Sequence, residues 1–247
     1  ACLTRELVDQ YKIPVIPVNI VFQGKIYRDW VDITPSDGYR FLEKDPAHFS
    51  TSSASPEEIA EVLRSLCSEY QETLCIIVSS RLSTLYNMAR LAKEQMQVDC
   101  PNAKVEVLDS KSATAAEGFV ALAAARAAEA GKDLAEVTRI AAEVRDKVGV
   151  IVVLETIRYV YRTGRIPKFA SRIGELLSVK PIIKISDGAV HFVSAARTKH
   201  QAIEKMLTYV HRDVAGKPVR MSVMHANSLA EGQQLMERVK AKFNCVE

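Results

Sequence analysis

Two short stretches of the sequence concentrate hydroxyl groups. The first, "TSSASPEE" (Thr51 to Glu58), carries Thr51, Ser52, Ser53 and Ser55, and the second, "SSRLST", carries Ser79, Ser80, Ser83 and Thr84. Ser and Thr at a helix start accept hydrogen bonds from otherwise unpaired backbone N–H groups. Ser55 fits that role: Pro56 suits the first helical position and Glu58 follows three residues later, the capping-box pattern. Ser83 is a second candidate cap. Capping leaves Thr51, Ser52 and Ser53 unused, because they precede the cap. It also leaves Ser79 and Ser80, which close an apolar strand where open α/β sheets bind ligands. Hydroxyls grouped with helix-start N–H donors make a site for a carboxylate or phosphate held by dipoles, without a cationic side chain. Such a site holds an acid and leaves it reactive.

Other chemistries find less support. There is no Gly-x-Ser-x-Gly elbow, and the one histidine close in sequence to either cluster is His48, three residues before Thr51, which reads as a surface loop residue. A serine-dependent hydrolase or phosphotransferase acting on a small acid or ester stays open as the alternative. Neither Gly-x-Gly-x-x-Gly nor a phosphate-binding Gly-x-x-x-x-Gly-Lys-Ser/Thr loop occurs. Asp109-Ser110 ends another strand and reads equally as a turn or as part of the same crevice. Arg158, Arg162, Arg165, Lys168 and Arg172 recur at near-helical steps, the usual pattern of a solvated face. Within that run, "RTGRIP" breaks the helix at Gly164 and leaves Arg165 on a turn, where a guanidinium can reach a ligand or a phosphorylating partner.

The 247 residues suffice for two domains, and 48% hydrophobic with 26% charged residues is a globular composition. A net charge of +3 gives no electrostatic case for nucleic acid. No apolar run approaches the ~20 residues that span a bilayer, so no stable membrane insertion is expected. Five cysteines show neither Cys-x-x-Cys nor Cys/His metal spacing, which reads as reduced thiols in an intracellular protein without a metal site. The first residue, Ala1, is not an initiator, so a preceding segment is expected.

The elements that must position the hydroxyls follow from periodicity. A helix over Leu3 to Lys12 leads to the apolar run Ile13 to Phe22, whose two prolines suit an edge or irregular strand. A helix over Thr34 to Lys44 and another from Ser55 to about Tyr70 follow. Then "TLCIIVSS" reads as a strand buried on both faces, with a helix carrying Leu85, Met88, Ala89, Ala92 and Met96 at helical spacing behind it. Strand "AKVEVLD" and two more helices complete a parallel βαβ pattern. After Gly149 come strand "VIVVLE", the basic segment, a helix "SRIGELL" and a hairpin across Asp187-Gly188. A helix from Thr198, strand "PVRMSVMHA" and a last helix end the chain. The expected architecture is α/β: an N-terminal parallel-sheet domain, residues 1–147, carrying the hydroxyl loops, and a smaller C-terminal mixed-sheet domain, residues 148–247.

In order, these motifs resemble the DegV family of bacterial fatty-acid-binding proteins, which includes the lipid-carrying subunits of fatty acid kinase. The resemblance runs through "IPVNIVFQGKIYRDWVDITPSDGY" (residues 16–39), "TSSAS" against Thr-Ser-Gln-Pro-Ser, and "IVSSRLSTLYNMA" against Ile-x-x-Ser-Ser-x-Leu-Ser-Gly-Thr-Tyr-x-x-Ala. It continues through "VLDS", "RTGRI" against Lys-Gly-Gly-Arg-Ile, and "LLSVKPIIKISDG". It implies two α/β domains with one long-chain fatty acid between them, in an apolar tunnel. The carboxyl would be held by Thr51 and Ser80, with Ser52 and Ser79 as neighbours, and Arg165 would lie near the head group and a partner surface. It further implies a cytoplasmic carrier with no cofactor and no catalytic residue of its own, serving a separate fatty acid kinase catalytic subunit. Ala54, Thr84-Leu85 and Thr163 depart from the family's Pro, Gly-Thr and Gly. The family's first strand, ending in Asp-Ser, would precede Ala1, and its closing His-x-Gly-Pro-Gly turn would follow Glu247.

Overall fold

The computed structural model describes residues 2–166 and 178–246. The chain divides into two compact units, Ala1–Val148 and Gly149–Glu247.

Unit 1 opens with α1 (Arg5–Gln10), β1 (Asn19–Phe22), β2 (Lys25–Arg28), α2 (Pro35–Lys44) and β3 (Phe49–Ser52). The strands form an antiparallel sheet in the order β2-β1-β3. Of the apolar run Ile13 to Phe22, four residues pair, because Pro14 and Pro17 have no N–H to give a ladder. Next come α3 (Pro56–Cys67), β4 (Glu72–Ile77), α4 (Leu85–Asp99), β5 (Lys104–Asp109), α5 (Thr114–Glu129) and α6 (Leu134–Arg145). β4 and β5 pair in parallel, from Glu72 opposite Lys104 to Ile77 opposite Asp109, so both strands end at one level. Helices on either side supply the two cores. Ile59, Ala60 and Leu63 of α3 meet Ala89, Ala92 and Met96 of α4 over Cys75 and Ile77, while Val120, Ala124 and Ala127 of α5 meet Val137 and Ala141 of α6 over Leu108.

Unit 2 contains β6 (Val150–Val153), α7 (Arg158–Arg162), β7 (Lys180–Ser186), β8 (Ala189–Ala196), α8 (Lys199–Val214) and α9 (Leu229–Lys242). Its sheet, β6-β7-β8, is antiparallel throughout the described strands, where the sequence pattern suggested a mixed one. Asp187 and Gly188 both have positive φ, 50° and 76°, the requirement of a tight hairpin turn. The expected helix "SRIGELL" lies outside the described residues. The expected strand over Pro218 to Ala226 does not form: Val219 makes a single bridge to Cys245. Met221 and Val223 instead pack against Leu207, Val239 and Phe243, so the alternation that suggested a strand records burial against helices, not pairing.

The cysteines differ from expectation. Cys67, the last residue of α3, and Cys100, just after α4, form a disulfide with Cα atoms 6.5 Å apart, and Cys2, Cys75 and Cys245 are free. The reading of five reduced thiols is corrected here. Side-by-side packing of α3 and α4 brings together two thiols 33 residues apart, a spacing with no motif to reveal it. Closing a loop of that length is worth about 3–4 kcal/mol by chain entropy. Thiol titration of unreduced, denatured protein should therefore find three reactive cysteines, and Cys67→Ser should lower stability by about that amount. A count of five from freshly lysed cells would show that the pair is reduced in vivo.

A second expectation comes from α2. Thr34 caps the helix, and Asp37 accepts the Thr34 hydroxyl at 2.6 Å and the Thr34 N–H at 2.8 Å. Those bonds, then the Arg40 guanidinium, bring the Asp37 carboxyl down from 3.8 to about 2. A depressed carboxyl contributes stability that is complete above its unfolded value and lost as pH falls through its folded one. Asp37→Asn should thus remove part of the acid sensitivity between about pH 4 and pH 2, read from thermal melts across that window.

Candidate functional site

The register of β4 and β5 places two loops side by side. Beyond Ile77 the chain passes through Val78 to Ser79, whose N–H donates to the Ser112 carbonyl at 2.8 Å, while Ser110 N–H donates to the Ile77 carbonyl at 2.9 Å. The loops are therefore laced together by backbone bonds. Ser79 is fully buried. Its hydroxyl accepts Arg81 N–H at 3.2 Å, and its carbonyl accepts Leu82 and Ser83 N–H groups, forming the turn into α4.

Ser80 is exposed and stands over Asp109. Its hydroxyl donates to Asp109 Oδ2 at 2.6 Å and its N–H to Asp109 Oδ1 at 3.3 Å; Lys111 N–H donates to the same Oδ1 at 2.8 Å. Asp109 thus belongs to the hydroxyl cluster as well as to the turn. Behind it, Ser110 Oγ accepts Ser112 N–H and donates to Ser112 O, both at 3.2 Å. The Ser112 hydroxyl oxygen is buried without a hydrogen-bond partner among the described residues.

Thr51 and Ser52 are the last two residues of β3, both exposed. Thr51 pairs with Ile20 and Ser52 with Asn19. Neighbouring strand residues face opposite sides of a sheet, so these two hydroxyls do not converge on one point as side chains. The residue that joins the two clusters is Ser53: its hydroxyl lies 3.3 Å from Ser83 Oγ and 3.0 Å from Thr84 Oγ1. Sequence reasoning noted Ser53 ahead of the cap but gave it no role, since nothing local indicates which distant loop it reaches.

The two expected caps differ in form. Ser55 makes the full capping box, accepting Glu58 N–H at 3.2 Å while its own N–H donates to Glu58 Oε2 at 2.6 Å. Ser83 Oγ accepts Leu85 N–H at 3.2 Å, and Thr84, the residue at the cap position of α4, makes no side-chain capping bond. α5 also starts without a side-chain cap, whereas α1, α2, α3 and α6 all have one. Within this unit, the two helices that begin beyond the parallel strands are the ones whose cap-position residue makes no side-chain capping bond.

His48 Nδ1 is 2.8 Å from Asp45 Oδ2, and Ser80 meets Asp109 with no imidazole between them. Burial, with Glu117 nearby, pushes the Cys75 thiol up to about 12, which keeps it protonated. Among the described residues no cluster of three His, Cys, Asp or Glu side chains could hold a metal, and no helix is long and apolar enough to cross a membrane. A cavity of about 350 Å³ lined by Arg5, Trp30, Asp32 and Thr34 lies among residues that belong to neither hydroxyl cluster.

In unit 2, α7 ends at Arg162 and Thr163 Oγ1 donates to the Val160 carbonyl at 2.7 Å. Gly164 has φ +70°. Arg165 is exposed, between that break and the buried Ile166. Arg158 and Arg162 are also exposed, while Lys168 and Arg172 fall outside the described residues.

The fold is that of a two-unit α/β protein whose hydroxyl-rich loops gather at the ends of a parallel strand pair. The profile described as "Uncharacterised protein, DegV family" matches residues 1–247, and the chain belongs to the DegV family. A DegV domain-containing protein of Clostridium acetobutylicum is 31% identical over 244 residues, covering 98% of this chain and 85% of the relative. The structure of DegV from Bacillus subtilis, described as a fatty acid binding protein, superposes with a TM-score of 0.88 at 26% identity, covering 99% of this chain and 86% of that one. A DegV family protein from Thermus thermophilus, described in terms of its fatty acid binding, gives 0.82 at 26% identity, with 99% and 87% covered.

The geometry separates capping from other duties. Ser55→Ala should cost about 1 kcal/mol of stability, as a lost cap does. Ser53→Ala removes no cap and should cost less than half of that in denaturant melts. A Ser53 penalty equal to that of Ser55 would make the contact between the clusters a fold determinant first.

Proposed function

We propose that the protein binds one long-chain fatty acid and presents its carboxyl group to a separate ATP-using kinase for acyl-phosphate formation. The observation that carries this reading is the meeting of the two hydroxyl clusters through Ser53, Ser83 and Thr84 at the start of α4, where Thr84 makes no capping bond. Membership of the DegV family, with relatives described as fatty acid binding, supports the same ligand class. On this reading Thr51 and Ser80 touch the carboxyl group, while Ser52 and Ser79 hold the strand end and the turn beside them.

The division of labour is energetic. Burying an acyl chain yields ~0.8 kcal/mol per CH₂, so ~14 methylenes supply on the order of 11 kcal/mol before ordering costs. Hydrogen bonds at ~0.5–1.5 kcal/mol each orient the head group without a cationic side chain beside it. The carboxyl oxygen then stays available for phosphoryl transfer. Arg165, on the turn after Gly164, would stabilise the charge that builds during transfer or dock an acidic partner surface. An ATP-dependent step sets this work in the cytoplasm.

Mass spectrometry of lipid extracted from protein purified from a bacterial host should find one acyl species per chain. A preparation that holds none and takes none up overturns the reading. Thr51→Ala and Ser80→Ala should each weaken the free acid more than its methyl ester, and equal losses would reduce both residues to structural roles. Arg165→Ala should leave binding within a few-fold and strongly slow acyl-phosphate formation with the cognate kinase and ATP. Ester turnover by the purified chain alone, abolished by Ser80→Ala, would instead establish a hydrolase.

A further inference from the structure

A serine hydroxyl has one proton to donate. Ser80 gives it to Asp109, in a short charge-assisted bond of 2.6 Å, and Asp109 is further fixed by the N–H groups of Ser80 and Lys111. What Ser80 offers an incoming group is therefore lone pairs. A carboxylate placed there would face a second carboxylate across a single hydroxyl proton, and like charges so placed disfavour the doubly ionised form.

We infer that Asp109 is a positioning residue that makes head-group binding proton-coupled: Asp109, Ser80 and the ligand carboxyl together hold one proton more than Asp109 and Ser80 hold alone. This rests on the fatty-acid reading and deepens it. The balance is simple. The carboxylate arrives from solution, one proton is taken from solvent, and no covalent bond forms or breaks elsewhere. The added proton sits either on the ligand, which then donates to Ser80 Oγ, or on Asp109, which then lets Ser80 turn its O–H to the ligand. It belongs to the coupled group and not to one member.

Charged residues of the described chain lie close in sequence to the pair or on the helices that follow it. Arg81 follows Ser80 in the turn, Lys111 follows Asp109 and interacts electrostatically with Asp146 after α6, and Glu117 is buried on α5. The arrangement also bears on transfer chemistry. A carboxyl that shares a proton with Asp109 can release it through Ser80 when its oxygen becomes the nucleophile, so the site holds the acid quiet until a partner engages it.

The test is calorimetric titration of wild-type, lipid-free protein with decanoate at mildly alkaline pH, in two buffers of different ionisation enthalpy. The expected result is uptake of about one proton per decanoate bound. Asp109→Asn should bring uptake close to zero while holding decanoate equally or several-fold more tightly, because the like charge is gone. A residue with a merely structural role would change affinity or stability and leave the proton count unchanged. Saturable decanoate binding to wild type with no proton uptake overturns the inference and leaves the fatty-acid reading standing. No binding of decanoate or of longer acids overturns both. The wild-type measurement needs no variant, so a poorly folding Asp109→Asn does not remove the test.

Discussion

The parallel pairing of β4 with β5, ending with Ile77 opposite Asp109, is the constraint on which the site depends. Because both strands stop at one level, Ser79 and Ser80 emerge beside Asp109, Ser110 and Ser112, and backbone bonds in both directions tie the loops together. A parallel pair buries both faces, so its polar loops are confined to the strand ends. Ser79 and Ser110 have no exposed surface, and their hydroxyls serve the turns. Ser80, one residue further on, is the exposed hydroxyl, held over Asp109.

The second constraint is the packing of α3 against α4. Their small and aliphatic residues, Ala60 and Ile59 against Ala89 and Ala92, bring the helices close along their length. One end of the pair is joined by Cys67–Cys100 and by the ion pair of Arg64 with Asp99 at 2.8 Å. The other end is joined by Ser53 with Ser83 and Thr84. The two hydroxyl clusters are thus the paired beginnings of two helices that also end together. A frame joined at both ends by packing and hydrogen bonds holds these hydroxyls in fixed positions.

In unit 2, the break at Gly164 leaves a guanidinium exposed on a turn, next to a residue, Ile166, anchored in the cluster with Ile157. That anchoring limits the turn's freedom, which separates Arg165 from Arg158 and Arg162 on the regular helix before it.

Much of this was legible in the sequence. Helix starts were clear because caps are local: Thr34 with Asp37 and Ser55 with Glu58 need three residues of spacing and nothing from the rest of the chain. The Asp187-Gly188 hairpin and the β4–α4–β5 alternation are likewise written in short windows. The strand expected over Pro218 to Ala226 shows the limit, since alternation reports which residues are buried and not whether a neighbouring strand exists to pair with them. Hydroxyls at positions 51–55 and 79–84 could be found from residue type alone. Which of them is buried, which lies on which face of β3, and which meets Asp109 could not, because those answers depend on the register of strands far apart in the chain. The same holds for Cys67 and Cys100, and for Ser53. Local chemistry selected the candidates, and only long-range packing, which no short window encodes, decided their partners.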